Sequence, residues 1–159
     1  KGTLVLMITK GLPRQAVILA KYTAAAALMT VSYWVGYAAA YGCTALLWHD
    51  TSLSNVAPAA FLLWITGFLY LSILMIGCVI FRQAFTSILF TGGIVAIISL
   101  LGMIEPIAKF NPFILTSKNI DLISGEAVLA EFMIPAVVSI ALSILGVLLA
   151  IRLFNKKQL

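Results

Sequence analysis

The chain has 159 residues, of which 63% are hydrophobic and only 9% are charged. Water-soluble domains carry about 25% charged residues, so this composition excludes a soluble globular protein and predicts an integral membrane protein. The net charge of +5 does not indicate a nucleic-acid partner, because the basic residues flank apolar segments, as they do in membrane proteins.

The first 22 residues, KGTLVLMITKGLPRQAVILAKY, precede the first long apolar segment. Residues 2–9 are mostly apolar and form a short helix candidate. Gly11 would end that helix, because glycine readily adopts the left-handed conformation of a C-terminal cap, and Pro13 suits the first turn of a new helix. The new helix is expected to continue through RQAVILAKY into the membrane. We therefore predict a cytoplasmic elbow over residues 1–22, in which a tight turn joins two helices at the membrane surface.

Four apolar segments are long enough to cross a bilayer, for which a helix needs about 20 residues. These segments, called spans A to D, cover residues 22–48, 57–81, 84–104 and 132–154. Residues 23–159 are therefore expected to form one transmembrane domain. Because a backbone in lipid must satisfy its own hydrogen bonds, the predicted fold class is all-α, a polytopic membrane helix bundle with four transmembrane helices.

The distribution of charge between the loops predicts the orientation of the bundle. If the four spans alternate in direction, eight of the ten basic residues share one side: Lys1, Lys10, Arg14, Lys21, Arg82, Arg152, Lys156 and Lys157. The other side holds Lys109, Lys118 and all five acidic residues. Basic residues favour the cytoplasmic side of a membrane protein. We therefore predict a multi-pass protein of the plasma membrane with both termini in the cytoplasm.

The three connections between the spans differ in length. Spans A and B are joined by a short external loop, HDTSLSNVAP, and spans B and C by a tight cytoplasmic turn around Arg82 and Gln83. The connection between spans C and D, residues 105–131, is long and substantially apolar. A connection of this length usually has structure or function of its own, so we predict two short external helices there, over residues 112–118 and 121–131.

Small residues recur at helical spacing on three spans, where they would let helix backbones approach closely. They are Ser32, Gly36, Ala40 and Thr44 on span A, Gly92 and Ala96 on span C, and Ser139, Ser143, Gly146 and Ala150 on span D. Packing among the four spans is the favoured interpretation of these faces. A dimer interface is the alternative.

Span A also carries a run of aromatic residues in its apolar interior: Tyr33, Trp34, Tyr37 and Tyr41. Two interpretations are open. Tyr33, Tyr37 and Tyr41 could line a path for an amphipathic substrate, because a tyrosine ring is apolar and its hydroxyl is polar. Packing against neighbouring helices is the commoner explanation of such residues.

The sequence contains no recognisable catalytic or metal-binding constellation. The one histidine, His49, is followed by Asp50, and a lone pair of this kind is weak support for a metal site. No phosphate-binding loop of the form GxxxxGK[ST] occurs. We therefore expect no enzymatic activity in this chain and no metal or cofactor bound by it.

The first 22 residues resemble the cytoplasmic segment that follows the second span in permeases of ABC-2 type transporters. That segment reads approximately G-T-L, a few apolar residues, T-K-[GP], Pro or Ser, Arg, several apolar residues and A-K-[YF]. The matching positions here are Gly2, Thr3, Leu4, Thr9, Lys10, Gly11, Pro13, Arg14, Ala20, Lys21 and Tyr22. The layout of loops that follows is also similar, so spans A to D correspond to the third to sixth of six spans.

The resemblance implies a permease subunit of an ATP-driven exporter. In that family a separate ATPase subunit, which holds ATP and Mg²⁺, grips the elbow, there called the coupling helix, and two permease halves enclose the transport path. Contacts with the ATPase would be made by Gly2, Thr3, Thr9, Lys10, Gly11, Pro13 and Arg14. The expected partners are that ATPase, a second permease half in a homo- or heterodimer, and the bilayer of a prokaryotic cell membrane. The first two spans of the family are expected to be missing, which would make this chain a fragment.

The alternative is a non-transporting four-span protein, such as an accessory, immunity or scaffold protein that binds other helices through its small-residue faces. The elbow discriminates between the two functions, because a scaffold has no need of a structured cytoplasmic elbow ahead of its first span. An intramembrane enzyme is disfavoured, since no buried nucleophile and base are paired in the spans.

Overall fold

The computed structural model of the chain describes residues 14–47, 55–81, 83–104 and 109–156. Regular structure in these ranges is entirely helical: α1 is Arg14–Leu47, α2 Val56–Ile80, α3 Ala84–Leu101, α4 Ile114–Ser117, α5 Asn119–Ser124 and α6 Leu129–Lys156. Within the described ranges, α1, α2, α3 and α6 are long and apolar enough to cross a membrane. The predicted all-α, multi-pass membrane helix bundle is confirmed.

Helix α1 is one continuous helix of 34 residues. As the sequence predicts, RQAVILAKY continues into span A without a break. At about 1.5 Å per residue such a helix is about 51 Å long, whereas the hydrocarbon core of a bilayer is about 30 Å thick. Helix α1 is therefore long enough for part of it to project beyond the hydrocarbon.

Helices α2 and α6 form the centre of the bundle and run in the same direction. At one end Ala59 and Phe132 share a buried cluster, and at the other end Val79 and Ala150 share a second one. Between these ends the two backbones approach closely, because Gly146 lies against Ser72: a Cβ atom at Gly146 would be 2.8 Å from Ser72 Oγ. Small residues on facing helices permit this approach.

A tight turn joins α2 to α3, so that α3 runs back along α2. The Phe81 N–H donates to the Gly77 carbonyl at 2.8 Å and Phe81 itself is extended, which ends α2. The rings of Phe81 and Phe90 then pack with their centroids 5.5 Å apart. This agrees with the sharp reversal that the sequence predicts around residues 82 and 83. Span C is predicted to reach residue 104, but α3 ends at Leu101, followed by turns through Ile104.

The connection before α6 contains two short helices, but their extent differs from the prediction. The second predicted helix, over residues 121–131, is wrong: α5 ends at Ser124 and α6 begins at Leu129. Gly125 lies between them in the left-handed conformation, with φ of 82°, which residues other than glycine rarely adopt. The N–H groups of Glu126 and Ala127 both donate to the Asp121 carbonyl, at 2.9 and 3.0 Å, and this reverses the chain.

The short helices pack into the bundle. Leu115 of α4, Leu122 of α5 and Phe132 of α6 have no solvent exposure and form one cluster with Ala59 of α2. Asn119, at the start of α5, is buried and donates from Nδ2 to the Ala59 carbonyl at 3.0 Å. The connection therefore forms a structured cover over the ends of α2 and α6.

The small-residue faces of the three spans differ in whether they are buried. On α6 the whole face of Ser139, Ser143, Gly146 and Ala150 is buried, so the prediction of packing among the spans is confirmed there. On α1 and α3 it is wrong: Ser32, Gly36, Ala40, Gly92 and Ala96 are exposed, and a Cβ atom at Gly36 or Gly92 would have nothing within 4 Å. The physical reason is that the face of α6 lies against α2, where Gly146 meets Ser72, whereas no neighbouring helix lies against Gly36 or Gly92.

Candidate functional site

Residues 1–13 of the predicted elbow lie outside the described residues, and residues 14–22 form the start of α1. Of the predicted contacts with an ATPase, six lie in residues 1–13: Gly2, Thr3, Thr9, Lys10, Gly11 and Pro13. Arg14 is the first residue of α1. The role of these seven residues therefore stays a prediction, and the structure contributes the helix that follows them.

Helix α1 is held loosely by the rest of the bundle. Among residues 15–47 Ile18 is the one buried side chain, at 3% exposure, and it packs in the cluster of Val79 and Ala150. By contrast, α2 buries nine of its 25 residues. Helix α3 likewise buries one of its 18 residues, Ser87, so α1 and α3 are both attached to the centre of the bundle by few buried side chains.

Two hydrogen bonds provide specific contacts between α1 and α2. The Tyr33 hydroxyl donates to the Ala60 carbonyl at 2.7 Å, and Trp64 Nε1 donates to Thr30 Oγ1 at 3.2 Å. Each polar group would otherwise face an apolar environment, where an unpaired donor is costly. Of the three predicted path residues, Tyr33 thus makes a packing contact between helices.

The other predicted path residues continue an aromatic ladder along α1. The rings of Tyr37 and Tyr41 are stacked with centroids 6.1 Å apart, and Trp34 is 5.6 Å from Tyr37. The ladder crosses to α2 through Trp34 and Trp64, 6.3 Å apart. Tyr41 is 55% exposed, so its ring is available to lipid or to another molecule. A substrate path along Tyr33, Tyr37 and Tyr41 stays a prediction.

The ladder leads to an apolar groove between α1, α2 and α6. Its volume is about 350 Å³ and it is lined by Tyr22, Phe61, Trp64, Ile65, Phe68, Ile140, Ser143 and Ile144; we call it the aromatic groove. The sequence analysis missed this site, because its walls come from three spans. One signal could have indicated it: Phe61, Trp64, Ile65 and Phe68 follow the spacing of a single helix face.

The charged residues separate between the two ends of the bundle. We call the end at which α1 begins and α6 ends the basic end; its described charged side chains are Lys21 and Arg152, both exposed. The opposite end carries Lys109, Lys118, Asp121, Glu126 and Glu131. The two ends carry two described basic side chains each, so the predicted orientation depends on the eight-to-two distribution of basic residues in the whole sequence.

The described residues contain no group of three or more His, Cys, Asp or Glu side chains that could hold a metal ion. His49 and Asp50, the pair considered in the sequence, lie outside the described ranges. No family model, curated protein or solved structure matches this chain. The resemblance to ABC-2 permeases therefore depends on the residues in which it was found.

Proposed function

We propose that this chain is a transmembrane permease subunit of an ABC-2 type exporter, which couples a separate ATPase to the movement of a substrate across the membrane. The observation that carries the proposal is the continuity of α1 from Arg14 to Leu47. The residues that resemble a coupling elbow begin before this helix and continue into its first turns, as far as Tyr22. A displacement of the elbow would therefore be transmitted directly into a membrane span.

The dimensions of α1 suit this role. The helix exceeds the hydrocarbon thickness by about 20 Å, and Lys21 lies on its first turns. A basic residue there favours the aqueous side of the membrane, so this part of α1 would project towards the ATPase. Hydrogen bonds inside the helix make it a stiff connection between the two environments.

The way in which α1 is attached also supports the proposal. A helix that transmits movement has to shift relative to its neighbours, and α1 has one buried residue among residues 15–47. Its attachments are Ile18 at the basic end and the hydrogen bonds of Thr30 and Tyr33 further along. Elements that move in conformational transitions are generally drawn from the less tightly packed part of a protein.

In the proposed complex ATP and Mg²⁺ are held by the partner ATPase, and a second permease half, the same chain or a different one, completes the transport path. The basic end faces the cytoplasm of a prokaryotic cell, with both termini on that side. The distribution of basic residues in the sequence, eight on this side and two on the other, supports this orientation. This chain itself performs no hydrolysis.

The proposal is tested by measuring whether the elbow controls the ATPase. The proposal predicts that an ABC ATPase is encoded beside this chain. That ATPase is co-expressed with the chain, and co-purification and ATP hydrolysis are measured for Arg14→Glu and Gly11→Leu. We expect both variants to lose association or stimulation, because one reverses a charge and the other blocks the turn. Lys118→Glu, a charge reversal at the opposite end, is the matched control. Unchanged association and unchanged hydrolysis in both elbow variants would refute the coupling role.

A second candidate function is favoured by one observation. The small-residue faces of α1 and α3 are open, with nothing within 4 Å of a Cβ atom at Gly36 or Gly92. An accessory, immunity or scaffold protein would bind foreign helices on such faces. This candidate predicts that Gly36→Leu abolishes association with a membrane partner while the elbow variants do not, which is the reverse of the result expected for a permease.

A further inference from the structure

Helix α3 is too short to cross the hydrocarbon of a bilayer completely. Its 18 residues make it about 27 Å long at about 1.5 Å per residue, whereas the hydrocarbon is about 30 Å thick. The turn before α3 carries Arg82 in the sequence, and a basic residue beside a span marks the membrane boundary. The chain that follows Leu101 therefore still has part of the hydrocarbon to cross.

The neighbouring helix α2 shows how deep this end of α3 lies. Helix α2 has 25 residues and is about 38 Å long. Because a tight turn joins the two helices at the basic end, the far end of α3 lies about 10 Å deeper in the membrane than the far end of α2. The cover is attached at both levels, since Asn111 donates to α3 and Asn119 donates to α2.

The carbonyl groups at the far end of α3 are all paired within the protein. The last four carbonyls of a helix have no donor inside the helix and depend on caps, tightened turns or water. Here the residues after α3 supply donors at 3.1–3.3 Å: Gly102 to Ile98 and Ser99, Met103 to Leu100, and Ile104 to Leu101. A backbone in hydrocarbon has to pair its polar groups in this way, because no water is present there.

A side chain from the cover completes the pairing at this end. Asn111 Nδ2 donates to the Ile98 carbonyl at 2.7 Å, and Asn111 Oδ1 accepts from the Phe113 N–H at 2.9 Å. Asn111 is 4% exposed, and a Cβ atom at Gly102 would be 2.9 Å from its Nδ2. The turn around Asn111 therefore lies at the depth of the end of α3, with both ends of its amide paired.

The side chains exposed around this turn are apolar. Met103 is 81% and Phe110 58% exposed, and they continue the exposed apolar surface of Ile97 and Leu100 on α3, which crosses the membrane. Within residues 102–104 and 109–113, which the structure describes, Lys109 is the one charged side chain. A lysine can keep its apolar stem in hydrocarbon while its ammonium group reaches the headgroups.

We propose that the turn after α3 is embedded in the lipid leaflet opposite the basic end, where Met103 and Phe110 contact acyl chains and Asn111 caps α3 against the hydrocarbon. The cover is thus deepest at Asn111 and rises to Asn119, near the start of α2. The surface that Met103 and Phe110 form is an interaction surface for lipid and not for water. This inference is independent of the proposed transport function, since it requires only that the bundle is in a membrane.

The depth of the turn is tested by electron paramagnetic resonance. A nitroxide is attached to Met103→Cys or Phe110→Cys in the full chain without its native cysteines, in phosphatidylcholine vesicles. Its collisions with oxygen, which concentrates in hydrocarbon, are compared with its collisions with a water-soluble nickel complex. We expect an oxygen-to-nickel ratio several-fold higher at both positions than at Lys118→Cys, and similar to that at Leu89→Cys, which is exposed in the middle of α3. A ratio at either position equal to that at Lys118→Cys would overturn the proposal.

The role of Asn111 is tested by adding Asn111→Ala to the Phe110→Cys chain. Without the amide the Phe113 N–H loses its acceptor, so the turn should move to the boundary, where water replaces the amide. The oxygen-to-nickel ratio at position 110 should then fall several-fold. Ser124→Ala, which removes a hydrogen bond at an exposed position, is the matched control and should leave the ratio unchanged. An unchanged ratio with Asn111→Ala would refute the role of Asn111, and the measurements that retain Asn111 test the depth even if this variant does not fold.

Discussion

A methyl group added at Gly146 should disturb the central contact of the bundle. The Cβ atom of Gly146→Ala would lie 2.8 Å from Ser72 Oγ and 3.1 Å from Ser72 Cβ. Ser72 cannot turn away without loss, because its hydroxyl donates to the Leu69 carbonyl at 2.7 Å and its side chain is fully buried. The two helices would have to separate. Inserting a methyl group into a packed core costs about 1–3 kcal/mol, and we expect a loss of unfolding free energy of that size.

The assay is reversible unfolding of the purified chain by sodium dodecyl sulfate in mixed micelles, followed by helicity and tryptophan fluorescence. Ser72→Gly removes the two atoms that the new methyl group would meet at 2.8 and 3.1 Å, and leaves Ile76 Cδ1 at an ordinary contact distance of 3.7 Å. The double variant should therefore recover most of the loss, with a coupling energy of about 1–3 kcal/mol between the two sites. Gly36→Ala is the matched control, because a Cβ atom there would have nothing within 4 Å. Equal effects of Gly146→Ala and Gly36→Ala, or additive effects in the double variant, would refute the close approach of α2 and α6.

Three further substitutions test the cover, the first helix and the orientation. Asn119→Leu removes two hydrogen bonds from Nδ2, to the carbonyls of Ala59 and Leu115, each of which contributes about 0.5–1.5 kcal/mol. Limited proteolysis of the segment before α6 should therefore become several-fold faster. Ile120→Ala, at an exposed position, should not change the rate of proteolysis. Tyr33→Phe should lower the unfolding free energy by about 0.6 kcal/mol, the mean for hydrogen bonds between membrane helices, while Tyr37→Phe should have no effect. Equal effects of the two substitutions would contradict a stabilising hydrogen bond from Tyr33. In a chain without its native cysteines, Lys118→Cys should react with an impermeant maleimide on intact cells, and a lack of reaction would reverse the predicted orientation.

The positions of the spans follow from local hydrophobicity. Spans B and C are predicted to begin at residues 57 and 84, and the helices begin at Val56 and Ala84. The continuity of α1 from Arg14 is predicted equally well, because no proline follows Pro13 before the end of the span. These features depend on residues that are close together in the chain, so the sequence alone is sufficient to predict them.

The cover over the ends of α2 and α6 is predicted only in part. Apolar residues before span D indicate short helices, but they do not show that Leu115 and Leu122 enter the core with Ala59. The break at Gly125 is also missed, since a glycine between two apolar runs is compatible with a continuing helix or with a left-handed turn. In the structure the turn is formed, and the N–H groups of Glu126 and Ala127 stabilise it by donating to the Asp121 carbonyl.

The number, length and predicted direction of the membrane helices follow from the order of apolar and basic residues in the sequence. The reason is that each helix is solvated by lipid. Hydrocarbon requires each span to satisfy its own backbone hydrogen bonds, and that requirement acts on one segment at a time. Which helices pack against each other, by contrast, is not determined by any one segment alone. The small-residue face of α1 is exposed and the similar face of α6 is buried. Sequence spacing alone does not distinguish them, because the difference depends on which helix lies beside each face in the bundle.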